Sequence, residues 1–65
     1  MRSWLIKYRK QCGLSQKALA DKVGIAQPSL SSIESGKTNP KPTTAKRIAQ
    51  VLGFDWTQFF NEKGG

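Results

Sequence analysis

The side chains of this chain that are best placed to do chemistry are hydrogen-bonding groups between positions 27 and 35. If this segment is an α-helix, with about 100° between successive residues, Leu30 and Ile33 lie on one side and would pack inward. Glutamine can bond bidentately to adenine, and serine can donate or accept at several base edges. The pattern therefore predicts a surface that reads nucleic-acid bases, with an ordinary polar surface as the alternative. The outward polar face carries Gln27, Pro28, Ser31, Ser32 and Ser35.

The composition of the chain also favours an anionic partner. Lys and Arg total 11 against 4 acidic residues, which gives a formal net charge of +7, and 37% of the residues are hydrophobic. That apolar fraction indicates a folded domain rather than a disordered basic tail. A small basic domain without a nucleic-acid partner would show the same charge, so the prediction depends on the helix pattern as well.

The sequence lacks the residue types that catalysis and metal binding need. The chain has no His and one Cys, which excludes a zinc finger, an internal disulfide and thiol–imidazole catalysis. The four scattered acidic residues form no constellation for acid–base chemistry. We therefore expect no enzyme activity, no metal, no cofactor and no small-molecule ligand. Cys12, near the end of the first apolar segment, should be a small buried hydrophobe.

The first ten residues, MRSWLIKYRK, argue against a targeting segment. Four of them are basic, and no apolar run among them reaches the length of a signal peptide or a membrane span. We therefore expect a protein that stays in the cytoplasm and does not contact a membrane.

Apolar spacing and helix-ending residues predict an all-α domain of five helices. Ser15 and Asp55 are good N-caps for the second and the fifth helix. Gly24 separates the second from the third, and its freedom to adopt positive φ would allow the tight turn of a helix-turn-helix. The prediction is a domain over residues 1–61 with a flexible tail at 62–65, and its helices are Ser3 to Cys12, Gln16 to Val23, Gln27 to Ser35, Pro42 or Thr43 to Leu52, and 56–60.

Groups on both sides of the third helix could hold a phosphate backbone. Ser15 and Gln16 start the second helix, where free amides and the helix dipole attract phosphate. The segment that follows the third helix is polar and basic, and it could grip the other side of a groove. The predicted phosphate-binding residues are Ser15, Gln16, Lys17, Ser35, Lys37, Thr38, Asn39 and Lys41.

Arg9 and Glu34 lie in segments that otherwise turn apolar residues inward. We predict that they form a buried or half-buried ion pair that ties the first helix to the end of the third, with a structural role. Glu34 would repel phosphate and lies off the polar face, so it should not contact DNA.

Three motifs in this chain resemble the phage-repressor and Cro type of helix-turn-helix regulators, also called the XRE family. The matching segments are GLSQKALADKVGI at 13–25, IESGKTNP at 33–40 and IAQVLGF at 48–54. The resemblance implies a compact five-helix, lambda-repressor-like domain whose third helix enters the major groove of double-stranded DNA. It implies a phosphate clamp at Gln16 and base-reading positions at Gln27, Pro28 and Ser32. Pro28 departs from the polar residues common there, and contact with a thymine methyl is the alternative.

The last predicted helix is unusually aromatic. We expect Phe54 and one of Phe59 or Phe60 to be core, and Trp56 to be partly exposed; burial of all of them in one core is the alternative. The resemblance implies a symmetric dimer, and we predict that Trp56 and Phe60 form the dimer interface. The predicted target of such a dimer is a near-palindromic operator. The predicted function is a sequence-specific transcriptional regulator, expected to be a repressor. The alternative is an antitoxin-like or other interaction module that uses the aromatic surface.

Overall fold

Four α-helices and one turn of 3-10 helix make up the fold in the computed structural model, which describes residues 1–61. The tail predicted at 62–65 lies outside the described residues. Over the described part every regular element is a helix, and there is no strand. The elements are α1 (Ser3–Gln11), α2 (Gln16–Val23), α3 (Gln27–Ser35), α4 (Pro42–Leu52) and the 3-10 helix (Trp56–Phe59).

The fifth element is a 3-10 helix, and the prediction of a fifth α-helix over 56–60 is wrong in this respect. Asp55 Oδ1 accepts hydrogen bonds from the Thr57 amide at 2.9 Å and from the Thr57 hydroxyl at 2.8 Å. These bonds close a tight turn, and the segment is too short for the α-helical bond pattern to repeat. The same bonds, that of the Thr57 amide first, hold the pKa of Asp55 below its ordinary value because they favour the charged carboxylate.

The core lies where the inward faces of the four α-helices meet. Leu5 of α1, Leu19 of α2, Leu30 of α3 and Ile48 of α4 are fully buried. An aromatic cluster extends this core toward the 3-10 helix, and its members are Trp4, Tyr8, Phe54 and Phe59. Because α3 packs against α2 and α1, the side of α3 that faces away from them is held in a fixed position.

The expectation that the Cys12 thiol is buried is wrong. Cys12 is the C-cap residue of α1, just after the last helical residue, and it is exposed. Its Sγ lies 3.9 Å from the carbonyl of Leu52 at the end of α4, so the thiol touches the edge of the core without being buried in it.

The turn between α2 and α3 requires a left-handed residue, and Gly24 supplies it with φ +83°. The amides of Gly24 and Ile25 both donate to the carbonyl of Ala20, at 2.8 and 3.0 Å. This bonding ends α2 and turns the chain directly into α3.

We expect Gly24→Ala to lower the free energy of unfolding by about 1–2 kcal/mol, because an L-residue is strained at positive φ. A Cβ at this position would meet Arg47 Nη1 at 3.5 Å, an ordinary contact, so the cost is one of backbone conformation. Urea denaturation measures the loss. Gly24→Asn is the control: asparagine tolerates this conformation better and should lose less. Equal losses in both variants would contradict this explanation.

In the part of the chain that the structure describes, none of the helices has the length and apolar character to cross a membrane.

Candidate nucleic-acid interface

The outward face of α3 is polar, free of charge and accessible. Gln27, Pro28 and Ser31 are exposed, and Ser32 and Ser35 are half-buried. The one charged residue of this helix, Glu34, is buried. Short side chains along this face allow another molecule to approach the helix closely.

The start of α3 adds backbone donors to this face. Its N-cap residue, Ala26, makes no side-chain capping bond, and Pro28 occupies one of the first two helical positions. The first backbone amides of a helix have no partner within the helix, so the amides near Gln27 can donate to a molecule bound at the start of α3.

The start of α2 lies beside the start of α3. Ser15 is its N-cap, and its hydroxyl oxygen accepts from the Ala18 amide at 3.0 Å. Lys17 is exposed and makes a surface pair with Asp21 at 3.3 Å. Because such exposed pairs are weak and easily exchanged, Lys17 remains able to attract an anion.

Behind both helix starts lies an ion pair between α1 and α3. Arg9 Nε donates to Glu34 Oε2 at 2.8 Å, and the two side chains are only 12% and 4% exposed. Arg9 Nη1 also donates to the carbonyl of Leu14 at 2.9 Å. The structure thus brings Arg9 and Glu34 together and fastens the loop before α2 to the same guanidinium.

The Glu34 carboxylate also determines the orientation of two glutamine side chains. Gln16 Nε2 donates to Glu34 Oε1 at 3.0 Å, and Gln27 Nε2 donates to Gln16 Oε1 at 3.4 Å. An ionised carboxylate only accepts, so Gln16 must turn its NH₂ group inward and its oxygen toward Gln27. Among the described residues, Gln27 Oε1 and its second Nε2 hydrogen have no other partner, and the side chain is exposed. This donor–acceptor pair is the one that an adenine edge requires.

The loop between α3 and α4 (residues 36–41, called the α3–α4 loop below) carries four of the predicted phosphate-binding residues, and all four are exposed: Lys37, Thr38, Asn39 and Lys41. The amides of Lys37 and Thr38 donate to the carbonyl of Ser32, at 3.0 and 3.3 Å. The Ser35 hydroxyl donates to the same carbonyl at 3.1 Å. The loop therefore folds back on the end of α3 and presents its side chains next to the polar face.

Arg2 is the residue of this region that the sequence did not point to. It is buried, and its guanidinium donates to the carbonyls of Ile33 and Thr38 and to the Asn39 side chain. Its contacts lie more than 30 positions away along the chain, so neither spacing nor composition could signal them.

A second surface lies at the C-terminal side of the described chain. Phe60 is 58% exposed, and its ring meets that of the half-buried Trp56 edge to face, with the ring centres 5.3 Å apart. Lys46 Nζ lies 4.9 Å from the centre of the Trp56 ring. Phe59 is buried in the core instead. The structure therefore brings Trp56 and Phe60 together in one partly exposed aromatic patch.

The fold and the polar face of α3 define a helix-turn-helix protein of the DNA-binding class. A family model described as helix-turn-helix matches residues 5–59. The chain belongs to this family, the XRE-type helix-turn-helix transcription regulators.

Individual relatives are similar over much of the chain. An uncharacterized HTH-type transcriptional regulator of Bacillus subtilis, YqaF, is 39% identical over 62 residues, which are 95% of this chain and 82% of that protein. The solved N-terminal DNA-binding domain of SinR from Bacillus subtilis superposes with a TM-score of 0.81 at 33% identity, covering 97% of this chain and 93% of that one. The antitoxin HigA1 of Mycobacterium tuberculosis is 42% identical over 48 residues, 74% of this chain and 32% of that protein.

Proposed function

We propose that this protein is a transcriptional repressor that occupies an operator in double-stranded DNA, with α3 in the major groove. The observation that carries the proposal is the oriented Gln27 side chain on an exposed, uncharged helix face. Repression by occupancy requires no catalytic residue, metal, cofactor or small-molecule ligand. It requires access to DNA, and we therefore propose that the protein acts in the cytoplasm.

In this proposal, side chains of α3 read base edges and its neighbours hold the backbone. Gln27 bonds bidentately to an adenine, Pro28 contacts a thymine methyl, and Ser31 and Ser32 bond to adjacent bases. Phosphates are held by the start of α2 and by the α3–α4 loop, through Ser15, Gln16, Lys17, Ser35, Lys37, Thr38, Asn39 and Lys41.

Selection of binding sites from random duplexes tests this function, with the salt concentration stated. We expect one enriched site that contains A·T pairs and binds about 10³-fold or more tightly than random DNA. The absence of any enriched sequence, together with binding that falls steeply as salt rises, would indicate a non-specific basic protein and contradict the proposal.

We further propose that the repressor is a symmetric dimer joined through Trp56 and Phe60. An exposed aromatic side chain next to a second ring is the kind of anchor that protein interfaces use. A dimer would place its two α3 helices about 34 Å apart, in successive major grooves, and would favour a near-palindromic operator.

Phe60→Ala should shift the dimer toward the monomer in sedimentation equilibrium. Truncation of an interface anchor costs about 2 kcal/mol or more, which raises the dissociation constant at least about 30-fold. Because Phe60 is mostly exposed, the same variant should unfold at nearly the same urea concentration when it is monomeric. An unchanged mass with a lower melting temperature would instead make Phe60 a core residue of the monomer.

A second candidate function is an antitoxin-like module whose aromatic patch binds a different protein. The exposed Phe60 and the similarity to the antitoxin HigA1 favour it. Purification of the protein from its native cells distinguishes the two candidates. A stoichiometric foreign partner that is lost in Phe60→Ala would support the module, and a homodimer would support the repressor.

A further inference from the structure

Arg2 is a buried cation that the proposed DNA contacts do not use. It is only 5% exposed, although it lies outside the helices and precedes α1. Its backbone amide donates to the carbonyl of Glu34 at 2.8 Å. Its guanidinium carbon lies 5.5 Å from the centre of the buried Phe59 ring. The side chain is therefore fixed from behind by the core.

The Arg2 guanidinium links the end of α3 to the α3–α4 loop. Nη1 donates to the carbonyl of Ile33 at 2.6 Å and to that of Thr38 at 2.9 Å, and Nη2 donates to Asn39 Oδ1. These acceptors lie on both sides of Gly36, so one planar group holds both parts of the chain at once. Lysine would keep the charge at this position but lacks the planar fork of donors.

Arg2 also determines whether the oxygen or the NH₂ group of the Asn39 side chain faces outward. A guanidinium only donates, so Asn39 must turn Oδ1 inward, which leaves its NH₂ group outward. Asn39 is exposed, and no acceptor within residues 1–61 takes up its Nδ2. Lys37 and Lys41 are exposed in the same loop, which contains no acidic residue. An outward N–H donor between two cations suits a phosphate oxygen.

We propose that Arg2 is a positioning residue that holds the α3–α4 loop so that Asn39 Nδ2 donates to a DNA phosphate. Arg2 itself does not touch the DNA. This inference rests on the proposed function, because it requires DNA to lie along α3 beside this loop.

The affinity of the Arg2→Lys variant for a random-sequence duplex of about 20 base pairs tests the inference. A random sequence is sufficient because phosphate contacts carry no sequence information. We expect the affinity to fall roughly tenfold, which corresponds to the loss of one hydrogen bond to a charged group. Arg47→Lys is the matched control: Arg47 Nη1 donates to the carbonyl of Val23 at 3.4 Å, at the end of α2. This control should bind as the unchanged protein does. Both variants keep the net charge, and thermal melts establish that each is folded at the assay temperature.

A double-mutant cycle separates positioning from general destabilisation. Asn39→Ala alone should also weaken binding roughly tenfold. In the Arg2→Lys background it should weaken binding no further, because the donor is already misplaced. Full affinity in Arg2→Lys, or losses that multiply to about a hundredfold in the double variant, would overturn the inference.

A measurement on the unchanged protein keeps the inference testable if Arg2→Lys does not fold. On addition of the same duplex to ¹⁵N-labelled protein, the side-chain amide resonance of Asn39 should shift. If it stays unmoved while Gln27→Ala still weakens binding to the selected operator and not to random DNA, the role of Arg2 is refuted and the proposed function stands. If the protein binds no duplex at all, both are refuted.

Discussion

Glu34→Ala is expected to lower the free energy of unfolding by about 3–5 kcal/mol, because it leaves the Arg9 guanidinium buried without its carboxylate. It also removes the acceptor that holds Gln16. A domain of this size has a total stability of only about 3–10 kcal/mol, so the variant should be close to unfolding at room temperature. Urea denaturation followed by circular dichroism measures the loss.

Two further variants show whether the charge pair is the cause. Arg9→Ala should be similarly destabilising, since it leaves Glu34 buried alone. The double variant Arg9→Met/Glu34→Leu should recover much of the loss, because it leaves no buried charge unpaired. A loss below about 1 kcal/mol in Glu34→Ala would be typical of a solvated surface pair and would contradict the buried arrangement.

Gln27→Ala is expected to weaken binding to the selected operator by about 1–3 kcal/mol and to leave binding to random DNA unchanged. The reason is that its outward oxygen and N–H are lost, whereas the phosphate contacts of the neighbouring segments remain. Fluorescence anisotropy on both duplexes, at the same salt concentration, measures the two affinities.

Gln50→Ala is the matched control for this variant. Gln50 is also an exposed glutamine on a helix, but it lies on α4 and belongs to no proposed contact. It should change neither affinity. If Gln27→Ala weakened both duplexes equally, Gln27 would be a backbone contact and not a base reader.

The parts of this fold that depend on near neighbours could be predicted from the sequence. The α2 helix begins after the Ser15 cap and ends at Gly24, as the residue types indicate, and α3 runs from Gln27 to Ser35 as expected. The errors lie at segment ends. Local pattern could not distinguish a short α-helix from the 3-10 turn after Asp55, or show that Cys12 lies just beyond the last turn of α1.

The finer geometry of the candidate interface could not be predicted, because it depends on contacts between distant parts of the chain. Glu34 meets Gln16 18 positions away, and Arg2 meets Asn39 37 positions away. Both contacts orient an amide side chain through a buried charge behind it. Periodicity predicted that Gln27, Pro28 and Ser31 are exposed, but only packing determines which atoms of an exposed side chain remain free to bind.

We propose that the polar face of α3 is the surface that meets DNA. Titration of ¹⁵N-labelled protein with the selected duplex tests it most directly, since every backbone amide other than those of proline reports separately. We predict that the largest shifts occur at Gln27, Ser31 and Ser32, with smaller ones at Ser15 and Lys37. Unmoved resonances along α3, with the shifts confined to Trp56 and Phe60, would contradict the claim.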